Sequence, residues 1–293
     1  MYLTMCKVCD WIRITFILST CAFLCLNDAQ ALSVHSKKST SASRFLEPLS
    51  PKEADAQIKL LRSHQKIESC KISFDFIHRA EENIQPTKTQ GVLLITSMNQ
   101  KTFKRLFLID EKEEVLVDYI FHEGQVSNVW KRLGTQSKFI LLDEDEMFSP
   151  LFDGILFRPV DVIMPYIDWE NYSYEGVEAL GIGSIVHNYL FSTKDEIAFL
   201  SHGVSAVRLS IDSKYNSVRK IEYLDNTEVL NQLHIAGVKK FENLWIISRL
   251  VFKGKNNKTI FRVKEATILA EDNQAHFFDP SFEKIMSRSL FFN

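Results

Sequence analysis

A long series of short segments, in which apolar and polar residues alternate, constrains the fold of this chain most strongly. In residues 70–78, CKISFDFIH, the apolar residues Ile72, Phe74 and Phe76 each stand between more polar neighbours. Because successive side chains of a strand point to opposite faces, this alternation predicts a half-exposed β-strand. Similar segments recur at residues 91–99, 101–110, 114–123, 125–133, 138–143, 184–192, 204–212, 217–225, 228–242, 244–254 and 258–269.

The links between these segments are short and polar, as at Asn99-Gln100, Glu123-Gly124 and Asp225-Asn226. Links of this length join neighbouring antiparallel strands, so the segments predict a meander of hairpins. Many consecutive strands in one sheet accumulate twist and make the sheet curl. We therefore predict a mainly β (α+β) fold. Its core would be a strongly curved antiparallel sheet, or incomplete β-barrel, of about ten or eleven strands, with short helices covering the concave face.

One helix has a clear start signal. Ser50, Pro51 and Glu53 form a capping box with proline in the first turn. The following residues place Ala54, Ile58 and Leu61 on one face at helical spacing. This pattern predicts an amphipathic helix that lies on an apolar surface, and residues 278–289 predict a last short helix.

The N-terminus has the pattern of an export signal. Lys7 and Arg13 precede the apolar run ITFILSTCAFLCL, which is too short to cross a bilayer as a helix. Ala29 and Ala31 have the spacing that signal peptidase recognises, so we expect cleavage after Ala31. An uncleaved membrane anchor and a lipoprotein signal are the alternatives. The predicted organisation is a signal peptide at 1–31, a flexible Ser-rich tether at 32–49 and a single domain at 50–293.

Composition and motifs narrow the classes of function. The 293 residues carry a net charge of −2, so no basic surface is available to attract nucleic acid. The chain has no nucleophile elbow, phosphate-binding loop or helical zinc motif, and we predict no cofactor, no metal site and no catalytic residues. Cleavage after Ala31 would leave Cys70 as the one cysteine, which fits a bacterial periplasm better than an animal extracellular space.

Residues 150–169, PLFDGILFRPVDVIMPYIDW, interrupt the alternation. Pro150, Pro159 and Pro165 exclude one continuous helix or central strand, although the segment is strongly apolar. We predict a loop and a short helix from Val160 to Met164. The side chains expected to face the open side of the sheet are Leu156, Phe157, Val162, Ile163, Met164 and Trp169. They form either a lid over a cavity or a plug that completes a core.

The order of these elements resembles a known family. It begins with SCKISFDFIHR, continues through the interruption, and includes VRKIEYLD, LWIISRLVF and FFDPSF. The order is similar to that of bacterial outer-membrane lipoprotein-sorting proteins, relatives of the periplasmic lipoprotein carrier. This resemblance implies a half-barrel with helices as a lid over an apolar cavity that holds acyl chains.

The resemblance further implies an exported, periplasmic carrier or binding protein for lipoproteins or lipids, which does not span the membrane. Its partners would be acyl chains and membrane-bound donor and acceptor proteins. A non-transporting binding or scaffold module and an envelope hydrolase are the alternatives. Candidate cavity residues are Phe74, Phe76, Leu94, Phe107, Val117 and Trp130. Alternation does not decide which strand face points inward, because a shift of one residue inverts the choice, and these residues also suit an ordinary core.

Overall fold

A computed structural model describes residues 13–15, 46–63, 69–80, 85–99, 101–110, 112, 114–124, 127–134, 136, 138–180, 184–194, 196–241, 244–269 and 275–281. The predicted cleavage after Ala31 lies outside these residues. So do residues 32–45 of the predicted tether and residues 282–289 of the predicted last helix.

The described residues are mostly strands. The strands are β1 (Arg13–Thr15), β2 (Cys70–Arg79), β3 (Thr87–Met98), β4 (Lys101–Ile109), β5 (Val115–Glu123), β6 (Asn128–Leu133), β7 (Ile140–Leu141), β8 (Tyr172–Ala179), β9 (Ile185–Ser192), β10 (Ala206–Asp212), β11 (Val218–Asp225), β12 (Glu228–Phe241), β13 (Leu244–Lys253) and β14 (Lys258–Ile268). The α-helices are α1 (Pro51–Arg62), α2 (Pro159–Ile163) and α3 (Ile197–Ser201). Short 3₁₀-helices span Glu146–Phe148, Pro165–Asp168 and Ala275–Phe278.

Thirteen of the described strands form one continuous antiparallel path in the order β7-β6-β5-β4-β3-β2-β14-β13-β12-β11-β10-β9-β8. The predicted curved, open antiparallel sheet is confirmed, with a few more strands than the ten or eleven expected. The additional strand β8 lies at one edge and alternates between exposed and half-buried residues, so its apolar signal is weak. Off this path, β1 pairs with β13 in parallel.

The chain path gives residues 150–169 a fixed task. The first meander runs from β2 outward to β7 at one edge, whereas the second starts with β8 at the opposite edge and returns to β14 beside β2. The connection from β7 to β8 must therefore cross the whole sheet. We call residues 150–169 of this connection the strap.

Helix α1 forms as the sequence predicts. The Ser50 backbone N–H donates to Glu53 Oε2 at 2.9 Å, and Glu53 N–H donates to Ser50 Oγ at 3.4 Å. Ala54, Ile58 and Leu61 are buried and pack in the main apolar cluster of the sheet. The helix therefore covers the same face of the sheet as the strap.

Apolar side chains form clusters on both faces of the sheet. The main cluster, on the inner face, contains residues from β2 to β6, the strap and β9 to β14. A smaller cluster on the outer face contains Val92, Leu94, Phe107 and Phe278. The 3₁₀-helix at Ala275–Phe278 thus packs on the outer face, at strands β3 to β5.

Candidate functional site

The strap folds into a short helix between two prolines. Pro159 occupies the first turn of α2, and Arg158 N–H donates to Asp161 Oδ2 at 2.8 Å. Met164 ends the helix in the left-handed region with φ 53° and ψ 57°, and Pro165 then starts the 3₁₀-helix. The predicted helix from Val160 to Met164 is confirmed. A left-handed methionine costs about 1 kcal/mol, so packing around the strap holds this bend.

The apolar side chains of the strap fill the inner face of the sheet. Phe157, Val162, Ile163 and Met164 are buried in the main cluster, and Leu156 and Trp169 are partly buried against it. The ring of Phe157 lies between the two meanders, with its centroid 5.1 Å from that of Phe76 and 5.5 Å from that of Phe252. The strap thus joins the two halves of the sheet through apolar contacts.

A buried polar network lies beneath this apolar layer. The guanidinium of Arg158 donates to both carboxylate oxygens of Asp161, at 3.0 and 2.9 Å. Tyr223 on β11 donates its hydroxyl to Asp161 Oδ1 at 2.5 Å, and its ring lies 4.6 Å from the Arg158 guanidinium carbon. Because Asp161 is completely buried, this carboxylate depends on these donors for its solvation.

A second polar contact ties the strap to the first meander. Lys104 on β4 is buried, forms an ion pair with Glu123 on β5 and donates to the carbonyl oxygen of Val162 at 3.0 Å. Tyr119 on β5 donates to the carbonyl oxygen of Leu151 at 2.8 Å. The strap is therefore held by polar side chains from both halves of the sheet.

The remaining anchors lie toward the two ends of the strap. Arg62 at the end of α1 donates to the carbonyl oxygens of Ile167 and Trp169, at 2.7 and 2.5 Å. On the other side, Leu156 N–H donates to Thr259 Oγ1 at 2.9 Å. Together these contacts define one closed position of the strap.

Electrostatics favour the charged state of this network. Desolvation by burial, reinforced by the charge of Asp161, raises the pKa of Tyr223 well above its usual range, so its hydroxyl keeps the proton it donates. Burial lowers the pKa of Arg158, but the Asp161 carboxylate outweighs this effect and the pKa lies above its ordinary value. Asp161 is thus surrounded by permanent donors.

The predicted cavity residues divide between the two faces. Phe74, Phe76 and Val117 belong to the main cluster on the inner face, beneath the strap. Leu94 and Phe107 belong to the outer cluster. Trp130 lies on the outer face as well, with its ring centroid 4.5 Å from that of His122, whose Nε2 is 2.6 Å from the carbonyl oxygen of Phe278.

The charged residues under the strap were not predicted from the sequence. Their signal is nevertheless present, because Arg158 and Asp161 stand three residues apart inside an otherwise apolar segment. Lys104 similarly follows Phe103 within a predicted strand. In an apolar segment, such residues indicate a buried ion pair as well as an exposed turn.

Within the part of the chain that the structure describes, no group of three or more potential metal ligands is close enough to hold a metal ion. None of the helices in the described ranges has the length and apolar character needed to cross a membrane.

The comparisons with solved structures identify the fold. A DUF1329 family protein from Desulfovibrio piger superposes with a TM-score of 0.67 at 10% identity, covering 80% of this chain and 100% of its own. A putative outer membrane lipoprotein-sorting protein domain from Vibrio parahaemolyticus gives 0.61 at 12% identity, covering 72% of this chain and 89% of its own. The LolA superfamily protein NE2245 from Nitrosomonas europaea gives 0.52 at 9% identity, covering 76% and 94%.

No protein-family model and no curated protein matches this chain. At identities near 10%, the structural matches establish a shared fold. The resemblance to lipoprotein-sorting proteins is confirmed at that level.

Proposed function

We propose that this protein binds the acyl chains of lipoproteins or lipids between the inner face of its sheet and the strap. The single observation that carries this proposal is the path of the strap, which crosses an apolar sheet surface from one edge to the other. A segment in this place closes the surface when it lies down and exposes it when it is displaced.

The energetics of exchange support binding of an apolar ligand. Phe157, Val162 and Ile163 bury apolar surface against the sheet, and an acyl chain in their place would bury a similar surface. Each buried methylene contributes about 0.8 kcal/mol. The apolar cost of displacing the strap would therefore be offset by the ligand, and the buried polar contacts would remain as the main barrier.

The polar network suits a segment that opens and closes. Buried ion pairs add little net stability compared with apolar packing, because desolvation of the charges offsets their attraction. They do fix one geometry, since Asp161 finds its donors only when the strap is in place. We infer that the network defines the closed position without making it much more stable than an open one.

We further propose that the protein acts in the periplasm, after removal of residues 1–31, and that it belongs to outer-membrane lipoprotein sorting or a related envelope process. The named roles of two proteins with the same fold support this assignment. Donor and acceptor proteins in the two membranes would then load and unload the site. The domain responsible is residues 50–293, with 32–49 as its tether.

The proposal is tested by extracting the protein, purified without detergent from the periplasm of a Gram-negative host, and analysing the extract by lipid mass spectrometry. We expect acyl lipids or acylated peptides in near-stoichiometric amount. A matched periplasmic protein of another fold, prepared in parallel, controls for carry-over. An extract identical to that control, together with no uptake of added fatty acid, would contradict acyl-chain binding.

A second candidate function, a non-transporting scaffold module, is favoured by one observation. The largest side chains of the inner face, including Phe74, Phe157 and Tyr223, are fully buried with the strap in place. In that case the strap would be a permanent plug. Intact-protein hydrogen exchange separates the two functions, because a plug would exchange its amides only through global unfolding, whereas a lid would exchange them through local opening.

A further inference from the structure

A cavity of about 1000 Å³ lies beside the strap, at the end of the sheet where the β3–β4 and β5–β6 turns are found. Its walls come from these turns, from the strap and from α3. A volume of this size suits a ligand larger than a metabolite fragment. The cavity is separate from the buried inner face, and acyl-chain binding does not explain its composition.

The apolar wall of the cavity is aromatic. The ring centroid of Phe199 lies 4.9 Å from that of Phe148 and 4.7 Å from that of Trp169, both in edge-to-face geometry. On the same short helix as Phe199, the side chains of Ile197 and Leu200 are exposed, by 79% and 45%. Large apolar side chains exposed beside a cavity indicate a surface that contacts a partner.

The polar wall is acidic. Among the described residues that line the cavity, five carry carboxylates and one, Lys101, carries an ammonium group. One of the five, Glu123, already forms an ion pair with Lys104. The other four carboxylates belong to Glu144, Asp168, Glu170 and Glu196.

These four carboxylates come from separate places in the chain: the segment after β7, the end of the strap and the residue before α3. They therefore surround the cavity instead of marking one point on it. The chain as a whole has a net charge of only −2, so this excess of acid is local.

The sign of the charge selects the ligand. Lipid phosphates and free phosphate would be repelled by the carboxylates, whereas ammonium or guanidinium groups would be attracted. Aromatic rings additionally favour cations and apolar side chains. A ligand with several cations spaced along an extended chain matches carboxylates contributed by several elements better than a single amine does.

We propose that this cavity binds a basic, amphipathic peptide segment, with its cationic side chains at the four carboxylates and its apolar side chains against Phe148, Trp169 and Phe199. This site goes beyond the acyl-chain site and stands without it. Because Val160, Ile163 and Pro165 of the strap also line the cavity, an occupied cavity would contact the strap directly.

The test uses a fluorescent, capped peptide that alternates lysine with leucine, and a matched peptide that alternates glutamate with leucine. Fluorescence anisotropy with the full exported protein should show the lysine peptide binding at least tenfold more tightly. Binding should also weaken as salt is raised. The double variant Glu144→Gln/Glu170→Gln should weaken binding of the lysine peptide by about tenfold. The control Glu228→Gln/Glu265→Gln, which changes exposed carboxylates of β12 and β14, should leave it unchanged.

Equal affinity for the two peptides, or equal affinity of the Glu144/Glu170 double variant and the wild type, would overturn the proposal. So would displacement of the peptide by dodecyltrimethylammonium at a concentration equal to the peptide's own Kd, because the site would then recognise a cationic amphiphile. Lipid content, measured on the same preparations, is expected to be unaffected by the double variant, so failure of acyl-chain binding and failure of peptide binding are observed separately.

Discussion

Tyr223 on β11 donates its hydroxyl to Asp161 of the strap across 2.5 Å, and so joins the second meander to the segment that closes the inner face. The two residues are 62 positions apart in sequence and both are buried. This bond is a direct marker of the closed strap, because it exists only when α2 lies against the sheet.

Replacing Tyr223 with phenylalanine should weaken closure without removing the aromatic packing. The loss of a hydrogen bond to a buried charge is expected to lower the free energy of unfolding by about 1–3 kcal/mol. Urea unfolding followed by circular dichroism measures this change. The control Tyr215→Phe removes a hydroxyl from a partly exposed turn residue and should change the free energy by less than about 0.5 kcal/mol. Equal effects of the two substitutions would mean that the network contributes nothing to closure.

Truncation of Phe74 distinguishes a ligand-binding face from an ordinary core. Phe74 lies on the inner face with its ring centroid 4.6 Å from that of Phe261, whereas Phe107 lies in the outer cluster. Both Phe74→Ala and Phe107→Ala should destabilise the fold by about 3–5 kcal/mol. Only Phe74→Ala is expected to reduce lipid retention, measured by mass spectrometry on the folded fraction. Parallel losses of lipid in both variants would indicate that Phe74 is plain core.

Gly91 gives a prediction about the sheet itself. It pairs with Phe74, and a Cβ at Gly91 would lie 2.7 Å from Phe74 Cε2 and 2.8 Å from the carbonyl oxygen of Phe107. Because a backbone oxygen of the neighbouring strand cannot move aside, Gly91→Ala should destabilise the protein by about 1–3 kcal/mol. Gly124→Ala is the matched control, since its Cβ would meet nothing within 4 Å. Thermal unfolding compares the two variants, and similar melting temperatures would count against this packing.

Stability should fall in mildly acidic solution because of His187. Burial lowers the pKa of this histidine below its ordinary value of 6.5, and its Nδ1 lies 2.9 Å from the hydroxyl of Tyr174. The unfolded chain therefore takes up the proton at higher pH than the folded protein does. The contribution is undiminished above pH 6.5 and declines as the pH falls toward the lower pKa of the folded state. Urea unfolding between pH 7.5 and pH 5 should show this slope, and His187→Gln should reduce it; an unchanged slope would assign the effect to other groups.

The sequence predicted the sheet because alternation and short polar links depend on local residues only. The strand faces were harder to predict, because β3 and β4 are apolar on both sides. Leu94 and Phe107 pack outward against Phe278, which is distant in sequence. For such two-sided strands, periodicity carries no information about which face points inward.

The polar contacts of the strap could not be predicted for a related reason. Lys104 and Asp161 have the composition of exposed residues, and only pairing across the fold buries them. The prolines, in contrast, act locally through their fixed φ, so the short helix at Pro159–Ile163 followed from sequence alone.

The central claim is that the strap opens to admit an acyl chain, and hydrogen exchange of residues 157–168 with and without a bound fatty acid tests it most directly. In the closed protein, Asp161 N–H donates to the carbonyl oxygen of Arg158 and Met164 N–H to that of Val160. We expect these amides to exchange at least tenfold faster when the acyl chain is bound, while amides of β2 and β14 stay protected. Unchanged protection of the strap at saturating fatty acid would contradict the claim.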